Sequence, residues 1–221
     1  MKIRIFLLFL LLACYSPCWA ETIRVNPSKT ARLPEILASL KAGDTVIFER
    51  GVYRTAGALE ISGLHDVTLQ GEGKVEIVLS DLDDPVLSVS SCQRVRIRGL
   101  RARHAQPNEE YACEGAVIRV ENSRQVAVSD SWLNGCGAAG VYATGVKDLV
   151  IANNTIFNNT FAAVWVYQSS GLVYGNRMHD NAAELITLGE SDITMAGNSI
   201  EDNQGNSYGE TDWARSVLAG R

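Results

Sequence analysis

The sequence predicts an all-β protein, a single-stranded right-handed parallel β-helix of about six coils with an N-terminal capping helix. Positions repeat every 22 residues, apolar residues alternate in short runs between them, and asparagine is the polar residue that repeats. The repeating positions are Asn154, Asn176 and Asn198; Asn159, Asn181 and Asn203; Ile151, Val173 and Met195; and Ile156, Met178 and Ile200. Four series in one register indicate a stack of similar structural units.

Each repeat contains three short strands, which in one repeat are residues 141–143, 149–151 and 155–157, separated by Gly, Asn, Asp and Lys turns. Parallel strands lie about 4.8 Å apart, so equivalent positions of successive coils stack above one another. Stacked asparagines can then bond to each other and to the turn backbone. The register continues towards the N-terminus, with one long insertion between His104 and Gly115.

Length and charge narrow the class of protein. The chain has 221 residues, a formal net charge of −5 and 20% charged residues, which suits one domain. An acidic chain argues against nucleic acid, and against an anionic membrane surface, as the main partner. Apolar residues recur throughout, so the chain is not a low-complexity disordered segment.

Residues 1–20 are predicted to be a secretory signal, because Lys2 and Arg4 precede an apolar run that is too short to span a membrane. Cleavage after Ala20 would release a periplasmic or secreted protein, and we favour this prediction. The alternative is a lipoprotein signal that ends before Cys14, which would give an outer-membrane lipoprotein with a lipid anchor at that cysteine.

The β-helix domain is predicted to cover residues 21–221. Its N-terminal cap, residues 30–53, contains an amphipathic helix at 33–42 that would cover the open edge of the first coil. The C-terminal tail, residues 204–221, leaves the repeat and is predicted to cover the other end.

The opening LPEILASLKAGDTVIFERGVY and the coil DLVIANNTIFNN resemble the pectin-lyase-like superfamily of right-handed β-helix proteins. The resemblance covers about residues 30–203 and matches no specific enzyme family. It implies the β-helix fold and a substrate cleft along the first sheet. It leaves activity open, because the superfamily includes lyases, hydrolases, C5-epimerases, adhesins and structural modules.

A candidate binding surface lies on the outward side of the first predicted sheet. If the alternating apolar residues point inward, the outward column is Glu60, Ser88, Arg119, Tyr142, Trp165 and Thr187, with Tyr167 one position beyond. Aromatic rings stack on sugars and arginine pairs with carboxylates. We therefore predict substrate binding by Tyr142, Trp165, Tyr167 and Glu110.

The long insertion leads directly into the strand that carries Arg119, so it should border the same surface. Abstraction of the C5 proton of a uronate needs a group that neutralises the carboxylate, for which Arg119 is the candidate. His104 or Tyr111 would be the catalytic base or acid. The alternative interpretation is a solvated acidic loop.

Cysteine spacing predicts a disulfide between Cys113 and Cys136, which should lie on neighbouring coils. The alternative is a pair of buried thiols, and Cys92 is predicted to be a turn or core thiol. No metal site or cofactor is predicted. The carboxylates of the insertion are of the type that binds calcium, but their spacing does not support a calcium site.

A second surface combines the alternating arginines Arg96, Arg98, Arg101 and Arg103 with Trp132, which should neighbour Arg101 on the next coil. The function that these observations favour is an exported protein that recognises a polysaccharide or cell-envelope glycan, with uronate among the candidate sugars. The alternatives are a uronate lyase or C5-epimerase, and a non-catalytic structural or partner-binding module of the cell envelope.

Overall fold

The computed structural model describes residues 20–105, 114–135 and 137–203. They form a right-handed parallel β-helix of about seven turns, as predicted to within one coil. The strands are β1 (Thr22–Val25), β2 (Thr45–Phe48), β3 (Gly51–Thr55), β4 (Leu59–Ser62), β5 (Thr68–Gly71), β6 (Val75–Leu79), β7 (Leu87–Ser90), β8 (Gln93–Arg98), β9 (Arg101–His104), β10 (Ile118–Glu121), β11 (Arg124–Ser129), β12 (Trp132–Asn134), β13 (Ala139–Thr144), β14 (Leu149–Ala152), β15 (Thr155–Phe157), β16 (Ala162–Tyr167), β17 (Ser170–Tyr174), β18 (Arg177–His179), β19 (Leu185–Leu188), β20 (Asp192–Ala196) and β21 (Ser199–Glu201).

Three parallel sheets run along the axis. The first sheet has six strands (β4, β7, β10, β13, β16, β19), the second has eight (β1, β2, β5, β8, β11, β14, β17, β20) and the third has seven (β3, β6, β9, β12, β15, β18, β21). Alternate residues of each strand point inward and form one hydrophobic core, as in β10, where Ile118 and Val120 are buried beside the partly exposed Arg119. No helix in the described ranges is long and apolar enough to cross a membrane.

The predicted asparagine ladders are confirmed. The side-chain oxygen of Asn176 accepts hydrogen bonds from the backbone N–H and the side-chain amide of Asn154, at 2.9 and 3.0 Å. The second ladder repeats this arrangement, with Asn159 donating to Asn181. Asparagine recurs at these turns because its side chain both accepts from and donates to the neighbouring coils.

The N-terminal cap contains a short 3-10 helix, Pro27–Arg32, followed by α1, Leu33–Ala38. The helix buries Leu33 and Leu37 against the core, so it covers the first coil as predicted. It ends four residues before the predicted boundary. The Asp44 carboxylate accepts the backbone N–H of Lys41 at 2.8 Å, which holds the chain in a turn there.

The last strand of the first sheet differs from the prediction by one residue. Val164 pairs with Leu185, only 21 residues later, whereas the asparagine period of 22 had placed Ile186 at that inward position. Trp165 therefore pairs with Ile186, and the predicted outward position of Thr187 is wrong. One residue fewer lies between the third-sheet turn and β19, and in a strand this shift exchanges the two faces.

Candidate functional site

Two columns of side chains lie on the outer face of the first sheet, two residues apart along each strand. Successive members of a column are one coil apart, at about 4.8 Å. The first column is Glu60, Ser88, Arg119, Tyr142, Trp165 and Ile186. The second column is Ser62, Ser90, Glu121, Thr144, Tyr167 and Leu188. We call this surface the first-sheet face. Its basic and aromatic residues lie in the middle and later coils.

Arg119, Tyr142 and Trp165 occupy consecutive coils and contact one another. The Arg119 guanidinium carbon lies 5.9 Å from the centre of the Tyr142 ring. The Tyr142 and Trp165 rings meet edge to face, with centroids 5.5 Å apart. Cation–aromatic and edge-to-face contacts of this kind restrict the orientation of each side chain, so the column is a pre-ordered surface.

The prediction that Trp165 is exposed is wrong, because only 2% of its surface is accessible. It belongs to a second apolar cluster on the outside of the sheet, and Phe161 meets its ring at 5.9 Å. The buried members of this cluster are Ala138, Ala139, Ala162, Trp165, Ala183, Ile186 and Leu188. The partly exposed Tyr142 and Tyr167 pack against it and present their rings, while Trp165 supports them from below.

Three polar atoms on this face are buried and have no hydrogen-bond partner within the described residues. They are Nε of Arg119, Oγ1 of Thr144 and Nε1 of Trp165. A buried donor or acceptor without a partner costs about 1–3 kcal/mol. Unpaired groups gathered on one surface indicate a place where a polar ligand or bound water completes the hydrogen bonding.

His104 does not lie on the first-sheet face. It ends β9 in the third sheet and is fully buried, with Nε2 3.0 Å from the backbone oxygen of Asp84. Nδ1 has no partner within the described residues. Burial lowers the pKa of His104, and the hydrogen bond to Asp84 opposes this effect. A buried, inward-facing imidazole is positioned to support the fold rather than to touch a substrate on the outer face.

The other predicted residues of the insertion, Glu110 and Tyr111, lie outside the described residues, as do both cysteines of the predicted disulfide, Cys113 and Cys136. The structure does describe the end of the insertion. Gly115 donates its N–H to the backbone oxygen of Leu82 at 3.0 Å.

Cys92 is a buried free thiol in the turn between the first and second sheets. Its sulfur accepts the backbone N–H of Leu64 at 3.4 Å, and its own N–H donates to the Ser123 hydroxyl at 3.0 Å. Burial raises the pKa of the thiol. Cys92 therefore links the equivalent turns of the two neighbouring coils by hydrogen bonds. Within the described ranges, no group of three or more His, Cys, Asp or Glu residues could hold a metal ion.

On the third sheet, the predicted neighbours Arg101 and Trp132 pair as expected, with the guanidinium 4.3 Å from the indole ring centre. Phe157 meets Trp132 edge to face and stacks on His179 at 5.0 Å. These rings and cations contact each other along the sheet. They form a surface ladder whose polar and aromatic groups already have partners.

The sequence did not point to Thr144 or Phe161. Thr144 could have been found as the outward residue two positions after Tyr142. Phe161 lies in a turn, and only the folded coil brings its ring to Trp165.

Comparisons with known proteins support the fold. The family model for the right handed beta helix region matches residues 111–216, and no curated protein matches the sequence. ORF18 of Geobacillus virus E2 has a TM-score of 0.63 at 15% identity, covering 80% of this chain and 41% of that chain. This chain thus spans less than half of the ORF18 chain.

Two further solved structures share the architecture. A provisionally assigned glycosyl hydrolase from Parabacteroides merdae ATCC 43184 has a TM-score of 0.61 at 11% identity, covering 80% of this chain and 97% of that chain. Escherichia coli ybhc has a TM-score of 0.50 at 12% identity, covering 90% and 70%. At these identities the likeness concerns the fold alone.

Proposed function

We propose that this chain, a right-handed parallel β-helix of the pectin-lyase-like fold, binds a polysaccharide or cell-envelope glycan on its first-sheet face. The observation that carries the proposal is the partly exposed Arg119–Tyr142 pair. Nε of Arg119 and the nearby Oγ1 of Thr144 and Nε1 of Trp165 are buried without a hydrogen-bond partner among the described residues. The assignment of the Parabacteroides merdae protein as a glycosyl hydrolase is in keeping with a carbohydrate ligand.

Each residue has a distinct part in this proposal. The partly exposed rings of Tyr142 and Tyr167 offer flat apolar surfaces for the C–H groups of a sugar. Arg119 binds a hydroxyl or a carboxylate through its planar guanidinium, which favours a uronate over a neutral sugar. The buried Trp165 packs under the tyrosine rings and fixes their position, without touching the sugar itself.

Isothermal titration of the purified chain with uronate and neutral oligosaccharides tests the proposal. Tyr142→Ala should weaken binding by about tenfold or more, since loss of an aromatic anchor costs more than 1 kcal/mol. Tyr174→Ala is the matched control, because this tyrosine is 40% exposed on the second sheet. Equal affinities of the two variants would reject the first-sheet face as the binding site.

Uronate lyase or C5-epimerase activity is the second candidate function, and the position of Arg119 on the face favours it. Arg119 would hold the substrate carboxylate, and Tyr111 would supply the base or acid, since His104 is buried. Incubation with polyuronates, followed by the ultraviolet absorbance of an unsaturated product and by NMR for epimerisation, tests for turnover. Binding without either product would leave recognition of the glycan, without catalysis, as the function. No binding to any glycan would favour a structural or protein-binding module.

We also propose that the chain is exported from the cytoplasm. Residues 1–20 would direct the chain to the periplasm or the medium, with lipidation of Cys14 as the alternative. The mass of the protein recovered from bacterial cells separates these outcomes, because cleavage after Ala20 leaves Glu21 unmodified, whereas a lipoprotein would begin at the acylated Cys14.

A further inference from the structure

A groove follows the turns that join the first sheet to the second sheet, away from the first-sheet face. Its volume is about 630 Å³, and its lining includes His65, Gln93, Arg124 and Lys147. These four residues are stacked on consecutive coils, with His65 opposite Gln93, Gln93 opposite Arg124, and Arg124 opposite Lys147. We call them the basic row. At about 4.8 Å per coil the row is roughly 14 Å long.

Every member of the basic row offers a hydrogen-bond donor on its side chain. The backbone N–H groups at the same turns are already used within the stack, as where Arg124 donates to Cys92 and Lys147 donates to Ser123. Recognition in the groove therefore depends on the side chains.

The two permanent positive charges of the basic row, on Arg124 and Lys147, have no carboxylate partner among the described residues. Arg124 and Lys147 are exposed neighbours of like charge, an arrangement that destabilises a pair of strands. Neither residue forms an ion pair within the described ranges, and the nearby Asp148 carboxylate bridges to neither of them. Other arginines of this fold do have carboxylate partners on the next coil, as Arg177 has in Glu201 at 2.8 Å.

The carboxylate beside His65 does not neutralise the row. Asp66 accepts two hydrogen bonds from Arg94, at 2.6 and 2.8 Å, and lies 2.8 Å from Nδ1 of His65. These contacts hold the pKa of Asp66 well below its usual range. The carboxylate is therefore already paired with Arg94 and His65. Arg124 and Lys147 stay available to an external anion.

We propose that the basic row is a second binding site, which takes the anionic groups of an acidic oligosaccharide. Successive carboxylates or sulfates would lie against Arg124 and Lys147, with Gln93 and His65 bonding to adjacent oxygens. The chain is acidic overall, with a net charge of −5, and among the described residues no phenylalanine, tyrosine or tryptophan lines the groove for base stacking. A glycan therefore fits better than a nucleic acid. This site does not depend on the first-sheet face.

The test uses the full chain with all residues of the groove intact except those exchanged. Hexagalacturonate, a sulfated heparin hexasaccharide and the neutral maltohexaose are titrated at low salt into the wild type and into Arg124→Ser/Lys147→Ser. The matched control is Arg54→Ser/Lys74→Ser, which removes two exposed cations elsewhere and changes the net charge equally. All three chains are also prepared with Arg119→Ser, which removes the first-sheet contribution.

In the Arg119→Ser background, the groove variant should lose at least about tenfold in affinity for one of the acidic probes, while the control pair keeps it. The probe that is lost identifies carboxylate or sulfate as the recognised group, and added salt should weaken its binding. Equal losses in groove and control variants would overturn the proposal, as would equal binding of a DNA oligonucleotide or no binding of either acidic probe. An Arg119→Ser chain that binds as the wild type would count against the first-sheet face only.

Discussion

Asn176→Ala should be one of the most destabilising single substitutions in the later coils. The side chain is 1% exposed and contacts three coils. Its oxygen accepts from the backbone and side chain of Asn154, while its amide donates to the backbone oxygens of Ile151 and Tyr174 at 2.8 and 3.1 Å and to Asn198 at 3.0 Å.

Alanine would leave the buried backbone N–H of Asn154 without its partner and would remove the bonds that the Asn176 amide donates to Ile151 and Tyr174. At about 1–3 kcal/mol for the unpaired N–H and about 0.5–1.5 kcal/mol for each lost bond, the free energy of unfolding should fall by about 2–6 kcal/mol. Because a domain of this kind has a total of roughly 5–15 kcal/mol, the effect is large enough to measure by urea unfolding followed with far-ultraviolet circular dichroism.

Asn198→Ala is the matched control in the same ladder. Asn198 is half-buried near the end of the stack, where water can replace the lost hydrogen bonds, so its substitution should cost less. The reasoning fails if Asn176→Ala unfolds within about 0.5 kcal/mol of the wild type, a difference typical of surface substitutions. It also fails if the two variants are equally destabilised.

Three further predictions concern the core and its turns. Gly171→Ala should prevent normal folding, because its Cβ would lie 2.1 Å from the backbone oxygen of Leu149, whereas Gly57→Ala has no atom within 4 Å and should unfold like the wild type. His104 has a lowered pKa, so the unfolded chain binds its proton first. Stability should therefore fall as the pH drops below about 6.5, and more steeply in the wild type than in His104→Gln, as measured by urea midpoints at several pH values. Tyr53 has its pKa raised to about 12, mainly by burial, and its hydroxyl lies 2.7 and 2.8 Å from two backbone oxygens. Tyr53→Phe should therefore cost about 1–3 kcal/mol in urea unfolding, and an unchanged midpoint would contradict this.

The sequence predicts the position of a residue within its coil wherever the same type of side chain stacks at the equivalent position of the next coil. Asn154 and Asn176 bond through their side chains because both occupy the same inward turn, and this requirement leaves a visible period of 22. The pairing of Arg101 with Trp132 followed from the same register.

Accessibility was not readable in this way. The register predicts correctly that Trp165 lies on the outer face, but whether its ring meets solvent depends on Phe161 and on how closely alanines from neighbouring coils pack around it. His104 was predicted to lie in the loop, yet it ends β9 and faces the interior.

The sequence by itself determined the β-helix, its three short strands per coil and its asparagine ladders, because a stacked coil imposes the same local demand at each period. Only the tertiary structure decided that β19 is shifted by one residue, that Trp165 is covered, and that Arg124 and Lys147 lie side by side on adjacent coils. These features depend on turn length and on contacts between side chains far apart along the chain. No periodic pattern records such contacts.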